Sequence, residues 1–202
     1  TGAYVEFTTA APTNTLVTRF SIPDAPGGGG IDATLNVYID GVLHKALDLT
    51  SRHAWLYGPE ASPDNNPGSG PPRHIYDEAH VMLDTTVPAG HRIRLQKDAA
   101  NTSTYTIDFV DFEQVSPIAN PDPARYAVPA GFGHQDVQDA LDRARQDSSL
   151  VGVYLPPGDY RTTGKFQVYG KAVRIIGAGP WYTRFHAPDG HTNTDIGFRA
   201  DA

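Results

Sequence analysis

Alternation between apolar and polar positions dominates the first half of the chain. Residues 16–22 and 34–39 both alternate, which is the pattern of a strand with one buried face. Asp40 and Gly41 then lead into residues 42–45. Because an Asp-Gly pair readily adopts the positive φ angles of a two-residue turn, the sequence predicts a hairpin at this point.

Similar short segments predict further strands at residues 3–7, 80–83, 92–95 and 105–112. The fold class predicted for residues 1–115 is therefore all-β, with an antiparallel β-sandwich of the jelly-roll type.

Three segments are rich in Gly or Pro: two lie within residues 1–115 and one follows directly after them. Residues 26–30, one Pro and four Gly, predict a flexible connector. Residues 58–72 contain five Pro, and a loop of this length is uncommon and often functional. Residues 116–130 contain four Pro and predict an extended linker.

The period of the apolar residues changes after the linker. Val137, Ala140, Leu141 and Ala144 have helical spacing, and this predicts a helix over residues 135–147. Short apolar strands are predicted afterwards at residues 151–155, 166–169 and 172–176. Periodicity alone leaves open whether these strands form parallel coils or a second antiparallel sandwich.

Composition and charge exclude several classes of protein. The 202 residues have a formal net charge of −7, and the basic residues are scattered singly, so we expect no nucleic-acid partner. The chain has no cysteine, which excludes a disulfide framework and a thiolate metal site. No apolar run reaches the ~20 residues of a membrane span. The chain begins and ends abruptly, and we interpret it as part of a longer protein.

The second half carries the sequence pattern of a known fold. After the helical segment come Leu-Pro-Pro-Gly-Asp-Tyr at residues 155–160 and Ile-Gly-Ala-Gly at residues 176–179. This order resembles the N-terminal end of a pectin-lyase-like right-handed parallel β-helix, in which a helix caps the first coil. The resemblance implies that residues 131–202 are the N-terminal cap and first coils of such a domain.

Three segments narrow the resemblance to one family. Residues 30–35, 51–58 and 177–183 resemble the family 87 glycoside hydrolases, which are α-1,3-glucanases and mycodextranases. The resemblance implies a secreted, endo-acting hydrolase of α-1,3-linked glucan, and we expect the full-length parent to be a monomer. The resemblance also implies that residues 1–115 form a carbohydrate-binding module of the family 6 or 35 type, with its first strand missing. The family's catalytic aspartates would lie beyond Ala202, so no catalytic residue is assigned within this chain.

Aromatic and polar side chains flank the long loop at residues 58–72. A sugar ring has an apolar face and a rim of hydroxyl groups, so it binds an aromatic surface beside hydrogen-bonding groups. The predicted carbohydrate-binding residues are Trp55, Tyr57, His74, Tyr76 and Asp77.

Asp108 is a candidate metal ligand. It lies among apolar neighbours in residues 107–112, so it would need a partner if it were buried. A calcium ion, an Arg or backbone N–H groups would each serve, and the family resemblance favours a structural calcium. Asp111 and Glu113 share a face of the same strand, and we expect them to be solvated rather than catalytic.

Two alternative functions fit the same predicted fold. A pectate lyase or polygalacturonase would need a basic cleft for its uronate polymer, whereas this chain is acidic. A non-catalytic adhesin or tail-fibre protein is also compatible, because a fold does not determine function.

Overall fold

The chain divides into two compact units, residues 1–115 and residues 116–202. The computed structural model describes residues 2–192 and 195–201.

The first unit consists of short antiparallel strands. In chain order they are β1 (Tyr4–Thr8), β2 (Thr13–Ser21), β3 (Asp32–Ile39), β4 (Val42–Thr50), β5 (Trp55–Leu56), β6 (Arg73–His74), β7 (Asp77–Val87), β8 (Arg92–Gln96) and β9 (Thr106–Glu113). One sheet has the order β1-β8-β3-β4 and the other has the order β7-β2-β9, while β5 and β6 form a separate two-stranded sheet. All of the strand pairs in this unit are antiparallel.

Both sheets contribute to a single core. Leu16 and Phe20 of β2 are buried in one cluster with Val37 of β3, Leu47 of β4 and Ile93 of β8. Each of these strands alternates buried and more exposed residues, as a two-residue period requires. The predicted antiparallel sandwich is confirmed.

The hairpin between β3 and β4 follows from its two turn residues. Asp40 has a φ of 50° and Gly41 a φ of 83°. Positive φ at both central positions is the geometry of a type I′ turn, which matches the twist of the flanking strands. The hairpin predicted at this Asp-Gly pair is confirmed.

The described residues of the second unit form parallel strands and one helix. They are β10 (Tyr126–Ala127), α1 (His134–Gln146), β11 (Gly152–Leu155), β12 (Gly158–Arg161), β13 (Lys165–Tyr169), β14 (Arg174–Gly177), β15 (Thr183–His186) and β16 (Gly197–Asp201). The parallel ladders are β10-β11-β14, β12-β15 and β13-β16. Strands β11 to β13 therefore form one coil and β14 to β16 the next, which confirms the opening of a parallel β-helix.

Residues 116–130 differ from the spacer that their prolines predict. Tyr126 and Ala127 are buried and pair in parallel with β11. Ile118 donates its N–H to the carbonyl of Ala178 at 2.8 Å, and its own carbonyl accepts the hydroxyl of Tyr154 at 2.6 Å. This segment belongs to the second unit, because Tyr126 and Ala127 add a short parallel strand beside β11 and Ile118 is hydrogen-bonded to the coils that follow.

The helix α1 covers the first coil. It begins and ends one residue before the predicted range, and its apolar stripe is buried against Val153, Leu155 and Tyr160. The side-chain amide of Gln138 accepts the N–H of Gln167 at 2.9 Å and donates to its carbonyl at 3.0 Å. Gln138 thus satisfies backbone groups of β13 that a preceding coil would otherwise pair.

In the part of the chain that the structure describes, no helix is long and apolar enough to cross a membrane.

Candidate functional site

Three aromatic side chains of the first unit meet beside the long loop. The pairing of β5 with β6 places Trp55 opposite His74, and their ring centroids are 5.3 Å apart. The ring of Tyr76 follows at 5.9 Å from that of His74. His74 is exposed, Tyr76 is 37% exposed and Trp55 is half-buried. We call these three side chains the aromatic row.

Tyr57 is placed differently from the other predicted aromatic residues. Its side chain is only 4% exposed. The hydroxyl donates to a carboxylate oxygen of Asp24 at 2.7 Å and accepts the N–H of Gly29 at 2.7 Å. Burial raises the pKa of the Tyr57 hydroxyl, and the hydrogen bond to Asp24 acts in the same direction. Tyr57 therefore anchors neighbouring loops and does not present a ring face to a ligand.

The glycine-rich segment at residues 26–30 is held in place, in contrast to the flexible connector that its composition predicts. Gly30 donates its N–H to Asp24 at 2.7 Å, and Gly28 donates to the carbonyl of Ala25 at 2.9 Å. Both glycines have positive φ, and a Cβ atom on Gly28 would lie 2.4 Å from Pro67. Gly28 is therefore required for close packing against the long loop, and Gly30 for close packing against the backbone of Ser51 and Arg52.

The long loop at residues 58–72 also has internal hydrogen bonds. Asp64 and Tyr57 exchange two backbone hydrogen bonds of 2.9 Å. The carboxylate of Asp64 accepts the hydroxyl of Ser69 at 2.7 Å and the N–H of Asn66 at 2.8 Å. These two bonds, the Ser69 bond foremost, lower the pKa of Asp64. The loop is an ordered border of the aromatic row.

Asp77 follows Tyr76 directly and begins β7. Its side chain accepts the N–H of Glu78 at 2.8 Å, and it is half-buried. On the neighbouring strand β2 its partner is the buried Phe20, whereas the partner of Glu78 is Arg19. Asp77 therefore lies on the inner side of the strand, and the structure does not bring its carboxylate to the aromatic row.

Arg19 and Phe109 extend the aromatic row, although sequence reasoning did not select them. The guanidinium carbon of Arg19 lies 5.8 Å from the ring centroid of Tyr76 and 5.9 Å from that of Phe109. Arg19 is on β2 opposite Phe109 on β9 and Glu78 on β7. The alternation of residues 16–22 predicts that Arg19 points away from the core. Its contacts with Tyr76 and Phe109 follow from the order of the strands β7, β2 and β9, which the sequence does not show.

Asp108 is not buried, and its partner is a cation of the protein itself. Its carboxylate lies 3.3 Å from Nε of Arg19, and its side chain is 52% exposed. The pairing of β2 with β9 shifts register between Arg19 and Phe20, and this bulge turns both Asp108 and Phe109 outwards. The alternation assumed in the sequence is broken at this point.

The surroundings of Asp108 do not fit a calcium ion. Calcium takes six to eight oxygen ligands, whereas Asp108 faces a guanidinium group. Residues 2–192 and 195–201 contain no group of three or more His, Asp or Glu side chains that could hold a metal ion. The sequence left a calcium ion, an Arg or backbone N–H groups open as the partner of Asp108, and the structure shows an Arg.

Asp111 and Glu113 of β9 are exposed, as the sequence predicts.

Two family models match the chain. The alpha-1,3-glucanase catalytic domain D1 matches residues 1–115, and the alpha-1,3-glucanase catalytic domain D2 matches residues 132–202. No curated protein gives a significant match.

The chain is also similar to solved structures. One is the catalytic domain of a GH87 alpha-1,3-glucanase in complex with nigerose, at 36% identity and a TM-score of 0.84, covering 99% of this chain and 36% of that one. Another is the Agl-KA catalytic domain, at 29% identity and a TM-score of 0.80, covering 98% of this chain and 37% of that one. A third is the catalytic unit of a thermostable GH87 alpha-1,3-glucanase from Streptomyces thermodiastaticus, at 28% identity and a TM-score of 0.66, covering 98% and 33%. The chain therefore spans about a third of the length of these structures.

Proposed function

Because the chain belongs to the family of GH87 alpha-1,3-glucanase catalytic domains, we propose that it is the N-terminal part of a secreted, endo-acting hydrolase of α-1,3-linked glucan. In this proposal the first unit binds the polymer, and the second unit begins the β-helix that carries the catalytic carboxylates. Those carboxylates lie outside the 202 residues. A polymeric substrate is met outside the cell, and this is the reason for proposing secretion.

The observation that carries the binding role is the aromatic row. Trp55, His74 and Tyr76 present partly exposed rings, and the guanidinium of Arg19 lies beside the ring of Tyr76. Such rings cover the apolar face of a sugar, while the polar groups beside them accept and donate hydrogen bonds at its hydroxyl rim. Structural relatives crystallised with nigerose and with tetrasaccharides support a saccharide as the ligand.

The parallel coils support the role of the second unit. Glycoside hydrolysis commonly uses two carboxyl groups held at a fixed separation on either side of the scissile bond. A stack of coils provides such fixed positions, because each coil is hydrogen-bonded in register to the next. Asp111 and Glu113 lie exposed on β9 of the first unit instead.

One experiment tests both parts of the proposal. The 202-residue chain is incubated with insoluble α-1,3-glucan, and the bound protein and the released reducing sugar are measured. We expect retention on the polymer without release of sugar. Trp55→Ala should weaken retention about three- to tenfold, because one ring contact is worth about 0.5–1.5 kcal/mol.

Trp55→Phe is the matched control. The indole N–H of Trp55 is buried and has no hydrogen-bond partner among the described residues, so the smaller ring loses no such bond and should keep most of the retention. Circular dichroism checks the fold of both variants. Equal retention by Trp55→Ala would place the binding site elsewhere, and sustained release of sugar would show that the chain holds its own catalytic groups.

A further inference from the structure

The aromatic row continues into a longer line of contacts across the sheet β7-β2-β9. From Trp55 through His74 to Tyr76 the ring centroids are 5.3 and 5.9 Å apart. Arg19 then joins Tyr76 to Phe109 at 5.8 and 5.9 Å. The line therefore has five members and runs from the border of the long loop across β2 to the edge strand β9. We call it the extended row.

The steps of the extended row are 5.3 to 5.9 Å, on the scale of one sugar ring, and the neighbouring rings of Trp55, His74 and Tyr76 are tilted to each other by 53° and 60°. The aromatic members offer faces for stacking, and the guanidinium of Arg19 offers N–H donors between two of them. The salt bridge with Asp108 at 3.3 Å holds that guanidinium beside both rings. Successive positions can therefore each contact one sugar unit of a chain.

The side chains of the extended row are partly exposed and form an open surface site. Tyr76 and Phe109 are each 37% exposed, the side chain of Arg19 is 41% exposed, and His74 is exposed. A pocket that encloses a terminal sugar ring would be concave and would bury most of the surface of that ring. The side chains from His74 to Phe109 lie open instead, so a polymer can lie along them without inserting an end into a cavity.

Charge around the extended row selects the type of polymer. The positive charge of Arg19 is matched by Asp108. On the same outer face, Glu78 lies opposite Arg19 and Asp111 lies opposite Val17. The surface is therefore neutral to acidic, which disfavours a uronate polymer and leaves a neutral one.

We propose that the extended row binds an internal stretch of a neutral glucan chain lengthwise, with Arg19 and Phe109 forming subsites beyond the aromatic row. This inference rests on the proposed glucan-binding function and specifies how that function is carried out. Arg19 and Phe109 are binding residues in this assignment, and Asp108 positions the guanidinium of Arg19.

The test is a length series. Binding of α-1,3-linked glucose oligosaccharides, from the disaccharide to the hexasaccharide, is measured on the 202-residue chain by titration calorimetry. We expect the affinity to rise about threefold for each added glucose until the row is filled. Reduction of the sugar at the reducing end of the hexasaccharide should leave its affinity unchanged.

Phe109→Ala should lower the affinity for the hexasaccharide about three- to tenfold and leave that for the disaccharide within twofold. Phe109→Leu keeps apolar bulk without a flat ring and should show the same selective loss, which separates stacking from a folding defect. Tyr4→Ala is the matched control, because Tyr4 is also exposed in this unit but lies on β1 in the other sheet. It should change neither affinity.

Two results would overturn the inference. One is an affinity that is the same from disaccharide to hexasaccharide but still depends on Trp55, which would indicate recognition of a chain end and leave the proposed function intact. The other is an equal loss of both affinities in Phe109→Ala. A chain that binds none of these oligosaccharides and no insoluble glucan would instead refute the proposed function itself.

Discussion

Tyr160 is a fully buried side chain of the second unit. Its ring packs against Phe132 and Phe185, with centroids 5.2 and 5.3 Å away, and its hydroxyl donates to the carbonyl of Pro156 at 2.9 Å. Burial, with a smaller contribution from Tyr154, raises the pKa of Tyr160 to about 12. Folding therefore favours the protonated, neutral hydroxyl.

This raised pKa predicts a loss of stability at alkaline pH. An unfolded Tyr has a pKa of about 10, so its contribution is fully present below that pH and is lost as pH rises towards 12. Guanidinium unfolding across this range should give a flatter pH dependence for Tyr160→Phe. Tyr38, Tyr57 and Tyr105 also have raised pKa values, but both proteins share them. Identical pH slopes for the two proteins would contradict the assignment.

Two aspartates show what the sequence conveys about single residues. Asp108 stood out because its neighbours are apolar, yet a bulge turns it outwards to Arg19. Asp24 did not stand out, but it accepts hydrogen bonds from Ala25, Gly30 and Tyr57. The aromatic residues near the long loop could be selected from composition. Whether a given ring faces solvent, like Tyr76, or the interior, like Tyr57, depends on contacts distant in sequence.

At the scale of elements, the C-terminal end of α1 is closed by a lysine from the first coil. The ammonium group of Lys171 donates to the carbonyls of Ala144, Asp147 and Leu150 at 2.9, 2.8 and 2.7 Å. The last carbonyls of a helix have no partner within the helix and carry a partial negative charge. Lys171 supplies hydrogen-bond donors and a positive charge at this end, and it thereby links the end of α1 to the chain that follows β13.

Replacing this lysine should destabilise the second unit. Lys171→Met keeps the apolar stem but removes three charged hydrogen bonds, and we expect a loss of about 2–4 kcal/mol in the free energy of unfolding. Lys165→Met is the matched control, because Lys165 forms a partly exposed ion pair with Asp195 and such pairs are worth about 0–1 kcal/mol. Guanidinium unfolding measures both variants, and equal losses would show that Lys171 is an ordinary surface lysine.

The elements themselves were largely accessible from the sequence. The spacing of Val137, Ala140, Leu141 and Ala144 placed the helix within one residue at each end. The direction of the strands after it was not accessible from periodicity, since a short apolar run pairs either way; the resemblance to a β-helix supplied it. The bonds of Gln138 and Lys171 to the first coil depend on that stacking, and no local pattern indicates them.

At the scale of the whole chain, each unit has a core of its own. Leu16, Phe20 and Leu47 belong to the core of the first unit, and Leu141 and Val153 belong to that of the second. The two units meet in sequence at Val115 and Ser116. A core of this kind is the basis of cooperative unfolding, so the chain is expected to contain two cooperative units.

Calorimetry of core variants tests this expectation. Leu16→Ala and Leu141→Ala each remove a leucine side chain that is 1% exposed or less, and each should cost about 2–5 kcal/mol through lost burial and the cavity left behind. If the units unfold independently, the first variant lowers one transition temperature and the second variant lowers the other. Each variant then serves as the control for its partner, because both lose the same atoms. A single transition lowered by both variants would show instead that the chain unfolds as one cooperative body, and that the two cores stabilise one another.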